Sequence, residues 1–105
     1  MKPAMQPSDQ LHLSESELAI VHSILHAHLP GHKVWAFGSR ATGVRLKRFS
    51  DLDLAIDGLL SLGEIARLSE AFDNSSLPMK VDLVPLEGMS AEFLRRVQPD
   101  FIPIF

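Results

Sequence analysis

Three aspartates stand where aspartate is seldom found. Asp51, Asp53 and Asp82 each fall inside or at the edge of an apolar, strand-like pattern, Ser50-Asp51-Leu52-Asp53-Leu54 and Val81-Asp82-Leu83-Val84, although aspartate is depleted in strands. A period of two places Asp51 and Asp53 on one face, about 7 Å apart along the chain, so both can reach one ion. A neighbouring strand running parallel would bring Asp82 to the same place. Two carboxylates about 4 Å apart repel by roughly 4 kcal/mol in a medium of intermediate polarity, and a third makes a cation or a shared proton necessary. Hard oxygen donors of this kind suit magnesium or manganese. The alternative is an exposed sheet face with solvated carboxylates.

A second element with chemical potential is Gly38-Ser39, directly after a short apolar run at residues 33–37. A glycine followed by a small hydroxyl residue lets backbone amides approach a phosphate, and a helical turn starting there would add its positive end. Alone, the pair is equally a strand-ending turn. Gly38 and Gly43 make half of a P-loop, yet Val44-Arg45 stands where Lys-Ser/Thr is required, so that motif fails. A calcium-binding EF-hand loop starting at Asp51 also fails, because Ala55 and Ile56 replace a liganding residue and the glycine.

Charge separates along the chain. The 105 residues carry a formal net charge of −3, but between Leu18 and Ser50 there is no acid against Lys33, Arg40, Arg45, Lys47 and Arg48. From Asp51 onward acids predominate. Such segregation fits a site where one segment meets anionic groups and another binds cations. Overall acidity, with no basic stripe interleaved with aromatics, argues against direct nucleic-acid binding. The absence of cysteine excludes a disulfide framework, a thiolate zinc site and thiol catalysis. No apolar run is long enough to span a membrane, and the first ten residues lack the apolar stretch of a secretory signal. A cytoplasmic protein without membrane association is the expectation.

The elements that must position these residues can be read in outline. Pro3 and Pro7 make residues 1–12 a flexible lead-in, with residues 13–105 a single domain. Ser14 with Glu17 forms a capping box, and Leu18, Val21, Leu25 and Leu29 recur at helical spacing until Pro30-Gly31. Residues 33–37 read as a strand, 38–49 as a loop with at most a short helical turn, and 51–56 as a strand with Leu52, Leu54 and Ile56 on one face and Asp51, Asp53 and Ala55 on the other. Ser61 with Glu64 opens a second helix, residues 80–84 form a third strand, and Ser90 caps a helix to about Val97. The order α-β-loop-β-α-β-α contains a βαβ unit with parallel strands. The expected class is α/β (α+β), a small mixed β-sheet flanked by helices. Residues 101–105 form an apolar tail that packs on the sheet or serves an interface. Trp35 reads as core. His22, His26, His28 and His32 read as surface or partner-facing, and Arg95-Arg96 suits a helix C-terminus.

Gly38-Ser39-Arg40-Ala41-Thr42-Gly43, then the Asp51-Leu52-Asp53 pair, then Asp82 between Val81 and Leu83 together resemble the nucleotidyltransferase superfamily that includes DNA polymerase beta, and within it the minimal nucleotidyltransferases. The resemblance runs from about Val34 to Val84. It implies the polymerase beta-like fold, with Asp51 and Asp53 as the pair that holds two magnesium ions and Asp82 as the third metal-binding carboxylate, helping to activate an acceptor hydroxyl. It implies further that Gly38, Ser39 and Arg40 bind the triphosphate of ATP, with Arg48 and Ser50 nearby. Thr42 departs from the pattern, standing where many relatives have a basic residue; Arg45, Lys47 and Arg48 remain to balance phosphate charge.

The same resemblance implies a function. Minimal members work beside a small helical HEPN-domain protein encoded by a neighbouring gene, as antitoxins of type VII-like toxin–antitoxin pairs that transfer AMP to a tyrosine of the toxin. Adenylylation of a small molecule is the rival within enzymes, although those relatives are longer. A non-catalytic antitoxin acting by binding alone is the alternative outside catalysis.

Overall fold

The computed structural model describes residues 11–104. Its first helix, α1 (Glu15–His28), starts where the capping box requires. Ser14 Oγ accepts from the Glu17 amide at 3.1 Å and Glu17 Oε1 accepts from the Ser14 amide at 2.8 Å, satisfying two amides that a helix start would otherwise leave open. The same reciprocal bonds between Ser61 and Glu64 open α3 (Leu62–Asp73). Ser90 accepts from the Phe93 amide and opens α4 (Ala91–Val97). Between β1 (Val34–Phe37) and β2 (Leu52–Ile56) lies one helical turn, α2 (Ser39–Thr42), closed by Gly43 in the left-handed conformation.

β3 (Val81–Pro85) and β4 (Ile102–Pro103) complete a four-stranded sheet of order β3-β2-β1-β4. β1 pairs antiparallel with β2 and β4, while β2 and β3, joined through α3, run parallel as the βαβ reading requires. The sheet is therefore mixed and the fold is α/β in the expected sense. Leu52, Leu54 and Ile56 of β2, with Val34 and Ala36 of β1, join Val21 and Leu25 of α1 and Leu68 and Phe72 of α3 in one buried cluster. Burying such side chains contributes roughly 1.5–3 kcal/mol each, set against the entropy of ordering them.

The other sheet face is covered at its far end. Ala55, placed by alternation on the aspartate face, is fully buried. It pairs with Trp35, and the Trp35 ring stacks on Phe101 with centroids 5.7 Å apart. Phe37 meets both Phe101 and Phe93 on the same side. The apolar tail thus packs on the sheet, adding β4 at its edge, and Trp35 has a packing role there. Of the expected lead-in, residues 1–10 lie outside the described residues. Leu11 is buried in the core and the His12 amide donates to the Arg40 carbonyl at 2.8 Å, so these last two positions are anchored.

Candidate functional site

Strand direction gathers the chemistry at one end of the sheet. β1 ends at Phe37, β2 begins at Leu52 and β3 begins at Val81. Antiparallel pairing sets Phe37 opposite Asp53, and parallel pairing sets Asp53 beside Asp82. Paired residues share a sheet face, so Phe37, Asp53 and Asp82 form one row across three strands. Asp51 precedes β2 by one residue and is exposed. Its charge is among those acting on Asp53. The structure thus brings Asp51, Asp53 and Asp82 together, as the alternating pattern and the parallel strand predicted.

Gly38 adjoins them directly. Its backbone lies at φ 76° and ψ −159°, a region essentially reserved for glycine. A Cβ built there would collide with Oδ2 of Asp53. The missing side chain is what lets the end of β1 lie against the carboxylate before turning into α2. Thr42 and Ala41 donate to the Gly38 carbonyl and Gly43 to that of Ser39. A helix's first amides have no partner within it, so Ser39 and its neighbour present N–H groups at this end of the sheet.

Two of the expected nucleotide-binding residues have side chains engaged in structure. Arg40 is turned inward and only 7% exposed. It donates through Nε to the Ser50 carbonyl at 3.0 Å, through Nη1 to the His12 carbonyl at 3.0 Å and through Nη2 to the Arg48 carbonyl at 3.1 Å. Arg40 was expected to meet the triphosphate; here its guanidinium is held by three carbonyls of the loop and of His12. Ser50 likewise closes a turn, its Oγ accepting from the Lys47 amide at 2.8 Å. Arg48 is exposed, with its guanidinium 5.3 Å from the centroid of the Phe49 ring. Arg45 and Lys47 are exposed beside it. Arg45 holds φ 58°, an uncommon left-handed conformation for a residue with a side chain. This basic loop also shows Val44 at 65% and Phe49 at 60% exposure, a feature that charge counting alone could not reveal.

The electrostatics of the carboxylates follow from this packing. Asp53 has its pKa raised from 3.8 to about 6, first by burial, then by the charges of Asp82 and Asp51, and by hydrogen bonding with Asp82. Lys80 Nζ stands 3.7 Å from Asp82 Oδ1, but both side chains are well exposed and such a pair contributes little. Because the folded pKa of Asp53 lies above its unfolded value, its stabilising effect is present below about pH 4 and is lost as pH rises through about 6. The melting temperature without divalent ions should therefore fall between about pH 4 and 6. An Asp53→Asn variant should lose that part of the fall, and magnesium should reduce it in the unmodified protein. Equal pH dependence in both proteins would contradict the assigned cause.

Among the described residues, no group of three or more His, Asp or Glu side chains is already gathered tightly enough to hold a metal ion. The three aspartates share a strand end without forming a finished cage. Their chemistry nonetheless fits a hard divalent cation: all donors are carboxylate oxygens, and the central one resists charge because it is part-buried beside two other carboxylates. The histidines stay apart from them. His32 donates from Nδ1 to the Asp57 carbonyl at 2.8 Å. His22 lines a groove of about 460 Å³ with Ser23, His26, Ala27 and Ile104, and its buried Nε2 has no hydrogen-bond partner among the described residues. No helix among them is long and apolar enough to cross a membrane.

The chain is similar in sequence and fold to known proteins. The family model for the nucleotidyltransferase domain covers residues 19–102. A curated relative, the probable protein adenylyltransferase MntA of Haemophilus influenzae (strain ATCC 51907 / DSM 11121 / KW20 / Rd), is 43% identical over 97 residues, spanning 90% of this chain and 84% of that protein. Two solved structures share the fold with a TM-score of 0.69, each match covering 84% of this chain and 72% of the other. One is a toxin–antitoxin with AMP-PNP, at 24% identity. The other is a mutant toxin–antitoxin MntA–HpeT, at 22% identity.

Proposed function

The chain belongs to the nucleotidyltransferase domain family, and on that premise we propose that it transfers AMP from ATP to a tyrosine hydroxyl of a helical HEPN-domain toxin encoded by a neighbouring gene. The observation that carries the reading is the row of Asp53 and Asp82, with Asp51 beside it, against the glycine turn at Gly38. Nucleotidyltransferase activity is that of its family, and the relative named as a probable protein adenylyltransferase supports AMP as the group transferred. The toxin–antitoxin structures of the same fold support a toxin as acceptor.

The residues divide the work. Asp51, Asp53 and Asp82 would hold two magnesium ions, or manganese, whose charge stabilises the attacking and leaving oxygens of an in-line displacement. Gly38 and Ser39 cradle the triphosphate with backbone amides, and exposed Arg48, Arg45 and Lys47 offset its negative charge. Asp82, at the start of β3, takes the proton from the acceptor hydroxyl. The acceptor oxygen then bonds to the α-phosphorus, the bond to the β-phosphate breaks, and pyrophosphate leaves. Positioning and charge stabilisation are most of what such chemistry requires, which is why few residues can supply it.

The test uses ATP labelled at either end of the triphosphate. The protein is incubated with magnesium, the neighbouring gene's product and ATP carrying label at the α- or γ-phosphate. Nucleotidyl transfer predicts α-label on the partner and γ-label only in pyrophosphate. γ-Label on the partner would indicate phosphoryl transfer instead. No protein label, with neutralisation of the toxin retained, would indicate an antitoxin that acts by binding alone.

A further inference from the structure

We infer that Arg40 is a positioning residue for transfer, a buried clamp that sets the backbone of Asp51 and the basic loop. The inference rests on the nucleotidyltransferase reading above. Arg40 belongs to α2, the turn that begins at Ser39 beside Gly38, so its backbone moves with the phosphate-side element. Its side chain reaches the opposite side of the site. Nε and Nη2 fix the carbonyls of Ser50 and Arg48, on either side of Phe49. The Ser50 carbonyl belongs to the peptide that leads into Asp51, so this bond acts directly on the backbone of a carboxylate ligand. Nη1 and the Arg40 carbonyl together bind both backbone groups of His12, at 3.0 and 2.8 Å, which braces the clamp from outside the motif.

A buried charge would ordinarily sit beside a carboxylate. Here the guanidinium has neutral oxygens of three different residues instead, and among the described residues no ion pair to it is present. Such an arrangement is costly to assemble and specifies one conformation of the segment it holds. Only a planar fork of several N–H groups can serve three separated carbonyls. A lysine carries the same charge on a single point and cannot. A phosphate contact, by contrast, would be kept in large part by lysine.

That contrast defines the experiment. Arg40→Lys and Arg40→Met are compared with the unmodified protein in three readouts: kcat with ATP and the acceptor protein, affinity for a non-hydrolysable ATP analogue, and the rate of trypsin nicking at Arg45, Lys47 and Arg48. The clamp predicts that both variants lose roughly ten- to a hundredfold in kcat, as expected for misplacement. It also predicts that lysine does no better than methionine, that analogue affinity shifts by less than about threefold, and that the loop is nicked faster. Near-normal kcat in Arg40→Lys, with analogue affinity lost in Arg40→Met, would overturn the clamp in favour of a direct phosphate contact. Normal kcat and nicking in both would also overturn it. Should both variants fail to fold, His12→Pro removes the amide bound to the Arg40 carbonyl. Faster loop nicking with lower kcat would then support the clamp, and unchanged nicking would overturn it. If the unmodified protein shows no transfer, the functional reading fails, while nicking and analogue affinity still decide what Arg40 holds.

Discussion

Asp53→Asn removes AMP transfer and leaves a protein at least as stable as the original. The change keeps the size of the side chain and deletes the charge at the centre of the row formed with Asp82. With one carboxylate of the three gone, the cations that would offset charge on the reacting oxygens lose a shared ligand. A loss of about a thousandfold or more corresponds to roughly 4 kcal/mol of transition-state stabilisation. Stability should move the other way. The fold raises the pKa of Asp53 to about 6 through burial and the neighbouring Asp82 and Asp51, so at neutral pH without divalent ions its charge is held against local repulsion. Asparagine relieves that repulsion. A thermal melt at pH 7.5 should show an unchanged or higher midpoint, while the rate assay shows no product above background. A variant that is both inactive and strongly destabilised would point instead to a structural role for Asp53.

Gly38→Ala should be almost as damaging, for a different reason. The backbone at this position has φ 76° and ψ −159°, and an alanine held there costs about 1–3 kcal/mol. The added methyl also meets Oδ2 of Asp53 and closes on its Cγ. Relief requires either Asp53 to swing away or the turn into α2 to retreat. Each displaces part of the site. The expected result is a melting midpoint lower by several degrees and a fall of about a hundredfold in kcat/KM. Gly31 provides the control, since it also has positive φ, at 85°, but a Cβ there meets nothing. Gly31→Ala should lower the melting midpoint and leave kcat/KM unchanged. Equal effects of the two substitutions on kcat/KM would show that contact with Asp53 is unimportant.

Much of this was legible in the sequence because the signals were local. Ser14 with Glu17 and Ser61 with Glu64 announce helix starts through bonds between residues three apart, and both boxes form as written. Asp51 and Asp53 declare their shared face through strand periodicity. Asp82 needed one further step, parallel pairing across a crossover, which the βαβ order supplies. What escaped depended on distant contacts. Ala55 obeys the alternation yet is buried, because the tail from Phe101 covers the face on which it lies through Trp35. β4 has only two residues and no pattern of its own, existing through pairing with β1.

Arg40 shows most clearly where local reading stops. Basic, next to Gly38-Ser39 and in an acid-free stretch, it carries every mark of a phosphate ligand. Its partners are carbonyls of His12, Arg48 and Ser50, and backbone carbonyls exist at every residue, so no side-chain pattern advertises them. Leu11 and His12 were masked for the same reason: Pro3 and Pro7 nearby suggest a lead-in, while the bonds that anchor His12 come from Arg40.

AMP placed on a protein hydroxyl by the aspartate end of this sheet is a covalent mark that can be seen on the acceptor. The most direct measurement is peptide mass spectrometry of the helical partner after incubation with ATP, magnesium and either the unmodified protein or Asp53→Asn. AMP attached to a tyrosine of the partner is expected with the unmodified protein, and an unmodified partner with the variant. AMP on the partner with both proteins, or on neither while the unmodified protein binds ATP, would contradict that expectation.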